Sequence, residues 1–268
     1  MMRDITIGQY YPSESPVHSL DPRSKLMAVF LYIVALFVVK NPISYIAFLI
    51  ITLAEFKFAN VPFRYFLKGL RPVIILLLFT FVFRTLATPG NVIAECWIFE
   101  VTEEGLIKGI QLSARIALMI AEASLLAYTT TPKEMADGLA RAFRPFGRVG
   151  LPVEEMSIMV MIAFRFIPVM LEEAGDLMDA QASRGVEFEN CSVFTKMKNV
   201  FALLMPLFIA SIERTSDLAM AMEARGYSPD KERSRMFPLT YTRNDMLVYI
   251  FSAIFLLTVI AGRIAGIA

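Results

Sequence analysis

The sequence predicts an all-α integral membrane protein with about five transmembrane helices and a cytoplasmic arm of long helices. Two observations of composition and one of pattern predict this. Apolar residues make up 56% of the 268 residues and charged residues 19%, against roughly 45–50% and about 25% in soluble domains. Mean hydropathy is +0.57. The apolar residues fall into long runs, and the loops between those runs differ in charge.

Asp21-Pro22 before SKLMAVF reads as a helix start, with Asp as N-cap and Pro at the first helical position. The apolar run 26–39 that follows covers about 21 Å, short of the ~30 Å hydrocarbon core. Lys25 and Lys40 can extend it by snorkelling. Asn41-Pro42 marks a turn, and 43–58 is a second apolar run with Glu55 near its end. Arg64, Lys68 and Arg71 lie in an amphipathic connection, and the apolar run beginning at Pro72 continues to Ala87. The loop 88–104 holds Glu95, Glu100, Glu103 and Glu104 and no Lys or Arg; 105–129 and 246–262 are the remaining spans.

Loop charge sets orientation. The basic 57–71 loop reads as cytoplasmic and the 88–104 loop as external. Five spans then place the N-terminus and residues 130–245 in the cytoplasm and the C-terminus outside. The expected division is 1–129 for the first four spans, 130–245 for a cytoplasmic or interfacial helical domain, and 246–268 for the last span. No apolar stretch of a cleaved signal peptide is visible at the start.

Within 130–245, Thr131-Pro132-Lys133-Glu134 has a capping-box pattern. A long helix is expected over 152–183, broken or kinked at Pro168, and another over 191–224, interrupted at Pro206. Both mix apolar faces with charge, as in helices at a membrane surface or packed on partners. The stretch 201–212 is too short for a sixth span. Twelve of the 16 methionines lie between Met135 and Met246, which suits a surface that accepts different partners, although Met also fills ordinary gaps between helices.

The most specific feature is an internal repeat. DLMDAQASRG at 176–185 and DLAMAMEARG at 217–226 share Asp, Leu, Ala, Arg and Gly in register. Each copy ends an apolar-rich segment and puts an Arg before a Gly. One such end is ordinary helix termination, with Gly in the left-handed position and Arg at the negative end of the dipole. Two in register point to a functional pair, because the guanidinium fork suits carboxylates and carbonyls in a partner's groove.

These two ends resemble the coupling helices of EcfT, the CbiQ-like transmembrane subunit of energy-coupling factor ABC transporters. The resemblance covers nearly the whole chain. It includes SLDPRSKL at 19–26, LPVEEMSIMVMIAFRFIPVMLEEAGDLMDAQASRG at 151–185 and MEARGY at 222–227. It implies energy coupling in vitamin or metal-ion uptake, with two Ala-Arg-Gly-like motifs docking on two EcfA-type ABC ATPase subunits. Those motifs fall here on Ser183, Arg184 and Gly185, and on Ala224, Arg225 and Gly226. Ser183 stands where the family usually has Ala. The resemblance further implies a separate substrate-binding membrane subunit, the S component, which chooses the cargo. It implies no cofactor in this chain, since ATP is bound by the partners.

Lys108, Arg115 and Glu122 recur every seven residues in the fourth span, on one helix face. Intramembrane charges usually pair inside the protein, so a structural role is expected; an ion path is the alternative, and it would make the chain a self-contained secondary transporter or channel. A net charge of +1 excludes the basic surface that nucleic acid requires. No P-loop, HExxH or GxSxG is present, so no catalysis is expected. His18, the single histidine, reads as a surface residue. Cys96 and Cys191 fall on opposite sides of the membrane, which leaves no disulfide framework and no cysteine metal site. The partners that remain are the lipid bilayer and other proteins.

Overall fold

The computed structural model describes residues 10–39, 41–42, 44–96, 99–143, 153–186, 192–228 and 241–264. They fall into two compact units, divided at 142/143 and 238/239.

In the membrane-helix unit, α1 (Pro22–Val38) and α2 (Ser44–Phe58) meet through Tyr32, whose hydroxyl donates to Phe48 O at 3.3 Å. Next come α3 (Phe63–Leu70), a 3-10 turn (Arg71–Val73) and α4 (Ile74–Ala87). The fourth-span helix α5 (Glu103–Thr129), the short α6 (Pro132–Ala142) and the last helix α9 (Arg243–Ile264) complete the unit. Among the described residues, three segments are long and apolar enough to cross a membrane: Phe63–Ala87, Glu103–Thr129 and Arg243–Ile264. At 17 and 15 residues, α1 and α2 span only about 25 and 22 Å. They also supply much of the packed interior, where Tyr32, Ala35, Leu36, Tyr45 and Phe48 meet Leu118 and Val259.

Local chemistry explains the helix starts. Asp21 caps α1, its carboxylate accepting from the Arg23 N–H at 2.9 Å. The Asp21 N–H in turn donates to Asp245 Oδ1 at 2.8 Å. Asp245 Oδ2 accepts from the Thr242 N–H and hydroxyl, both at 2.7 Å, so Thr242 and Asp245 close the start of α9. One buried carboxylate thereby ties the starts of α1 and α9. At α6, the Thr131 N–H donates to Glu134 Oε2 at 3.0 Å and the Glu134 N–H to Thr131 Oγ1 at 3.3 Å, the reciprocal bonds of a capping box.

Glycines let α4 and α5 meet. A Cβ on Gly109 would lie 2.6 Å from Thr85 Oγ1, and one on Gly105 would overlap the Thr85 carbonyl. Small residues four apart permit such close approach. The all-α fold carries one addition: within the 88–104 loop, β1 (Val92–Cys96) pairs antiparallel with β2 (Phe99–Thr102). α6 packs on α1, its Gly138 against Pro22. It therefore sits with the membrane helices, whereas the sequence-based division falls at 129/130 and 245/246.

The other unit is built on α7 (Val153–Ser183) and α8 (Val193–Ala224), of 31 and 32 residues. Pro168 and Pro206 both lie inside continuous helices, which leaves the kink, and not the break, at Pro168 and corrects the interruption expected at Pro206. One missing N–H in some eight turns is a local loss that the flanking turns outweigh.

Candidate functional site

α7 and α8 end in the same way. Gly185 takes φ +87° and Gly226 φ +75°, the left-handed region that glycine enters without strain. After α7, the Gly185 N–H donates to Ala182 O at 2.9 Å and the Val186 N–H to Gln181 O at 3.1 Å. After α8, the Gly226 N–H donates to Glu223 O at 2.9 Å and the Tyr227 N–H to Met222 O at 3.0 Å. Both are Schellman closures, bond for bond equivalent under the repeat. Ser183, Arg184, Gly185, Ala224, Arg225 and Gly226 are all exposed. Ser183 turns its hydroxyl back to Asp179 O at 2.9 Å, a bond Ala224 has no means to make.

The same offset governs where the helices cross. Ser211 Oγ donates to Met170 Sδ at 3.1 Å, across 41 positions. Arg214 Nη2 forms an ion pair with Glu173 Oε2 at 2.7 Å. Both contacts join positions 41 apart, the offset that separates the two repeats. From Met170 to Arg184 and from Ser211 to Arg225 the arms are equal, about 21 Å of helix each. Sequence reading aligned the arginines but missed the Glu173–Arg214 and Met170–Ser211 contacts, which that register already pairs. Six methionines are exposed along these helices: Met156, Met159, Met161, Met197, Met205 and Met220.

Lys108, Arg115 and Glu122 each make separate contacts. Lys108 pairs with Glu104 at 3.4 Å on an exposed face. Arg115 Nη2 donates to Val39 O at 3.0 Å and to the Tyr45 hydroxyl at 2.7 Å, so it closes the end of α1. Glu122 is 4% exposed and its carboxyl meets that of Glu55. Among the described residues, no group of three or more His, Cys, Asp or Glu is arranged to hold a metal ion. His18 is half-buried: its Nε2 lies 3.0 Å from Tyr11 O and its Nδ1 2.7 Å from Ser15 Oγ. Burial is the largest influence on its pKa and lowers it; the Tyr11 carbonyl opposes, and the Lys25 ammonium lowers it further.

Apolar helices long enough to cross a membrane, in the unit that holds α5 and α9, define an integral membrane protein. The family model CbiQ, described as cobalt transport protein, matches residues 13–236. Relatives named energy-coupling factor transporter transmembrane protein EcfT match along most of their length. The protein of Acidaminococcus fermentans is 40% identical over 250 residues, 92% of each chain. That of Bacillus subtilis is 39% identical over 251 residues, 93% of this chain and 95% of its own. That of Brevibacillus brevis is 38% identical over 260 residues, 97% and 98%. This chain belongs to the CbiQ family of energy-coupling factor transmembrane proteins.

Proposed function

We propose that this chain is the non-catalytic transmembrane coupling subunit of an energy-coupling factor ABC transporter for micronutrient uptake, of vitamins or a metal ion. The observation that supports this best is the matched pair of helix ends, identical in backbone closure and equidistant from one crossing. Two EcfA-type ATPase subunits each present a groove, and Arg184 and Arg225 each fill one. A guanidinium holds a carboxylate or carbonyl pair through several donors at once, so each helix end is pinned. When the ATPases bind ATP and close, the pinned ends move relative to one another, and α7 and α8 carry that motion along their lengths. The Met-rich exposed face accepts the substrate-binding S component, whose reorientation releases cargo inward. ATP is bound by the partners, and this chain needs no cofactor of its own. The N-terminus and α7–α8 are cytoplasmic and the C-terminus external, as the loop charges require.

The test is the double variant Arg184→Glu, Arg225→Glu in the assembled transporter. Removing one partner of a buried charged contact weakens binding by about 2–5 kcal/mol. ATP-dependent uptake is expected to fall to background, with any remaining hydrolysis uncoupled from it. Wild-type uptake by the double variant would refute the assignment of these arginines.

A further inference from the structure

The short helix α3 leads through the turn at Arg71–Val73 into α4, within a segment long and apolar enough to cross a membrane. One side of α3 packs inward. Tyr65 meets Tyr128 of α5 edge to face with ring centres 5.4 Å apart, and Phe66 meets Phe56 of α2 at 5.3 Å. A Cβ on Gly69 would lie 2.9 Å from Ser124 Oγ. The other side is open: Phe63, Arg64, Leu67 and Arg71 are exposed.

That open side changes character along the chain. Arg64, Arg71, Ile75, Leu78 and Val82 follow at steps of seven, four, three and four residues, the spacing of one helix face. All five are exposed, Ile75 by 81%, Leu78 by 63% and Val82 by 45%. The stripe is cationic before Pro72 and hydrocarbon after it. The cations have no counter-charge in the chain. No Asp or Glu occurs between Glu55 and Glu95, and among the described residues neither Arg64 nor Arg71 joins an ion pair.

Charge and length together specify the occupant. A guanidinium fork matches two phosphate oxygens at once. A soluble anion would use the arginines and leave the apolar continuation bare. A zwitterionic lipid brings its phosphate together with a cation that the arginines repel, whereas an anionic lipid brings the phosphate without one. From Arg71 to Val82 the stripe runs about 17 Å, close to one leaflet of a ~30 Å hydrocarbon core. From Arg71 back to Arg64 is about 10 Å, enough to cross the headgroup layer, which is roughly 5–8 Å on each side.

We propose that this stripe binds an anionic phospholipid, its phosphodiester held by Arg64 and Arg71 and an acyl chain lying along Ile75, Leu78 and Val82. The site lies in the membrane-helix unit and does not rest on ATPase docking, which falls on the other unit.

The full chain is reconstituted in bilayers of equimolar phosphatidylglycerol and phosphatidylcholine, extracted gently, and its retained lipid quantified by mass spectrometry. The expected result at low salt is phosphatidylglycerol enriched about thirtyfold, the scale of two basic side chains at a headgroup surface, and less at high salt. The double variant Arg64→Gln, Arg71→Gln returns the ratio to that of the bilayer. A control with the same loss of charge at other helix ends, Arg84→Gln with Arg263→Gln, keeps the enrichment. Equal retention of the two lipids by the wild-type chain would overturn the proposal, and that result depends on no variant folding. Undiminished enrichment in an Arg64/Arg71 variant with the wild-type melting temperature would overturn it too, as would an equal loss in the control, which would make net charge the cause. Complete displacement by water-soluble glycerophosphate would reassign the arginines to a soluble anion.

Discussion

Arg184 and Arg225 are held in place by the glycine that follows each. A Cβ at Gly185 or Gly226 would meet nothing within 4 Å, so the demand at these positions is purely one of backbone conformation. Replacing Gly226 with Ala forces a side-chain residue into the left-handed region at about 1–2 kcal/mol. The expected outcome is faster hydrogen exchange at the Tyr227 amide, whose bond to Met222 O closes the helix, with the centre of α8 unchanged. Unaltered exchange at Tyr227 would show that the closure does not depend on glycine. His18 makes a second prediction at this scale. Its folded pKa lies below the ordinary 6.5, so the unfolded segment takes up the proton more readily than the folded one. Stability from this group is therefore full above pH 6.5 and is lost as pH falls through the folded pKa. Exchange at the Tyr11 amide, which donates to Tyr128 O at 2.9 Å, is expected to quicken below that pH after correction for the intrinsic rate. His18→Gln should flatten the profile; an unchanged profile in that variant would remove histidine from the account.

The helices show which physical signals a sequence carries on its face. Asp21-Pro22 and Thr131–Glu134 were legible because a cap is a local matter of one side chain and the nearest N–H groups. Thr242 and Asp245 carry the same signature before an apolar run, and their start lies earlier than the span expected over 246–262. What was not legible depends on long-range packing. Pro168 and Pro206 suggest breaks locally, yet each helix continues through. Glu55 and Glu122 stand 67 positions apart and meet only because α2 and α5 end together. The α4–α5 contact yields a test of packing. At Gly105 an added methyl overlaps the Thr85 carbonyl, part of the backbone, whereas at Gly109 its tightest contact is the Thr85 hydroxyl, which can rotate, and the Phe81 carbonyl lies farther off at 3.2 Å. Overpacking costs about 1–3 kcal/mol. Gly105→Ala is expected to lower the melting temperature in detergent more than Gly109→Ala, and the reverse order would contradict this picture of the contact.

On the scale of the whole molecule, one register organises the pairing of α7 with α8. The offset that aligns Arg184 with Arg225 also pairs Met170 with Ser211 and Glu173 with Arg214, so equivalent positions face one another where the helices cross. Equal arms follow, and equal arms suit a partner that is itself a pair. That symmetry was half legible: the repeat stood in the sequence, but the crossing needed three dimensions. The central claim is that two arginine-tipped ends recruit two ATPase subunits, and the direct measurement is the composition of the complex purified on a tag on this chain, determined by native mass spectrometry. The account predicts two ATPase subunits bound to the wild-type chain and none to the folded Arg184→Glu, Arg225→Glu double variant. Retention of both ATPase subunits by that variant would contradict it.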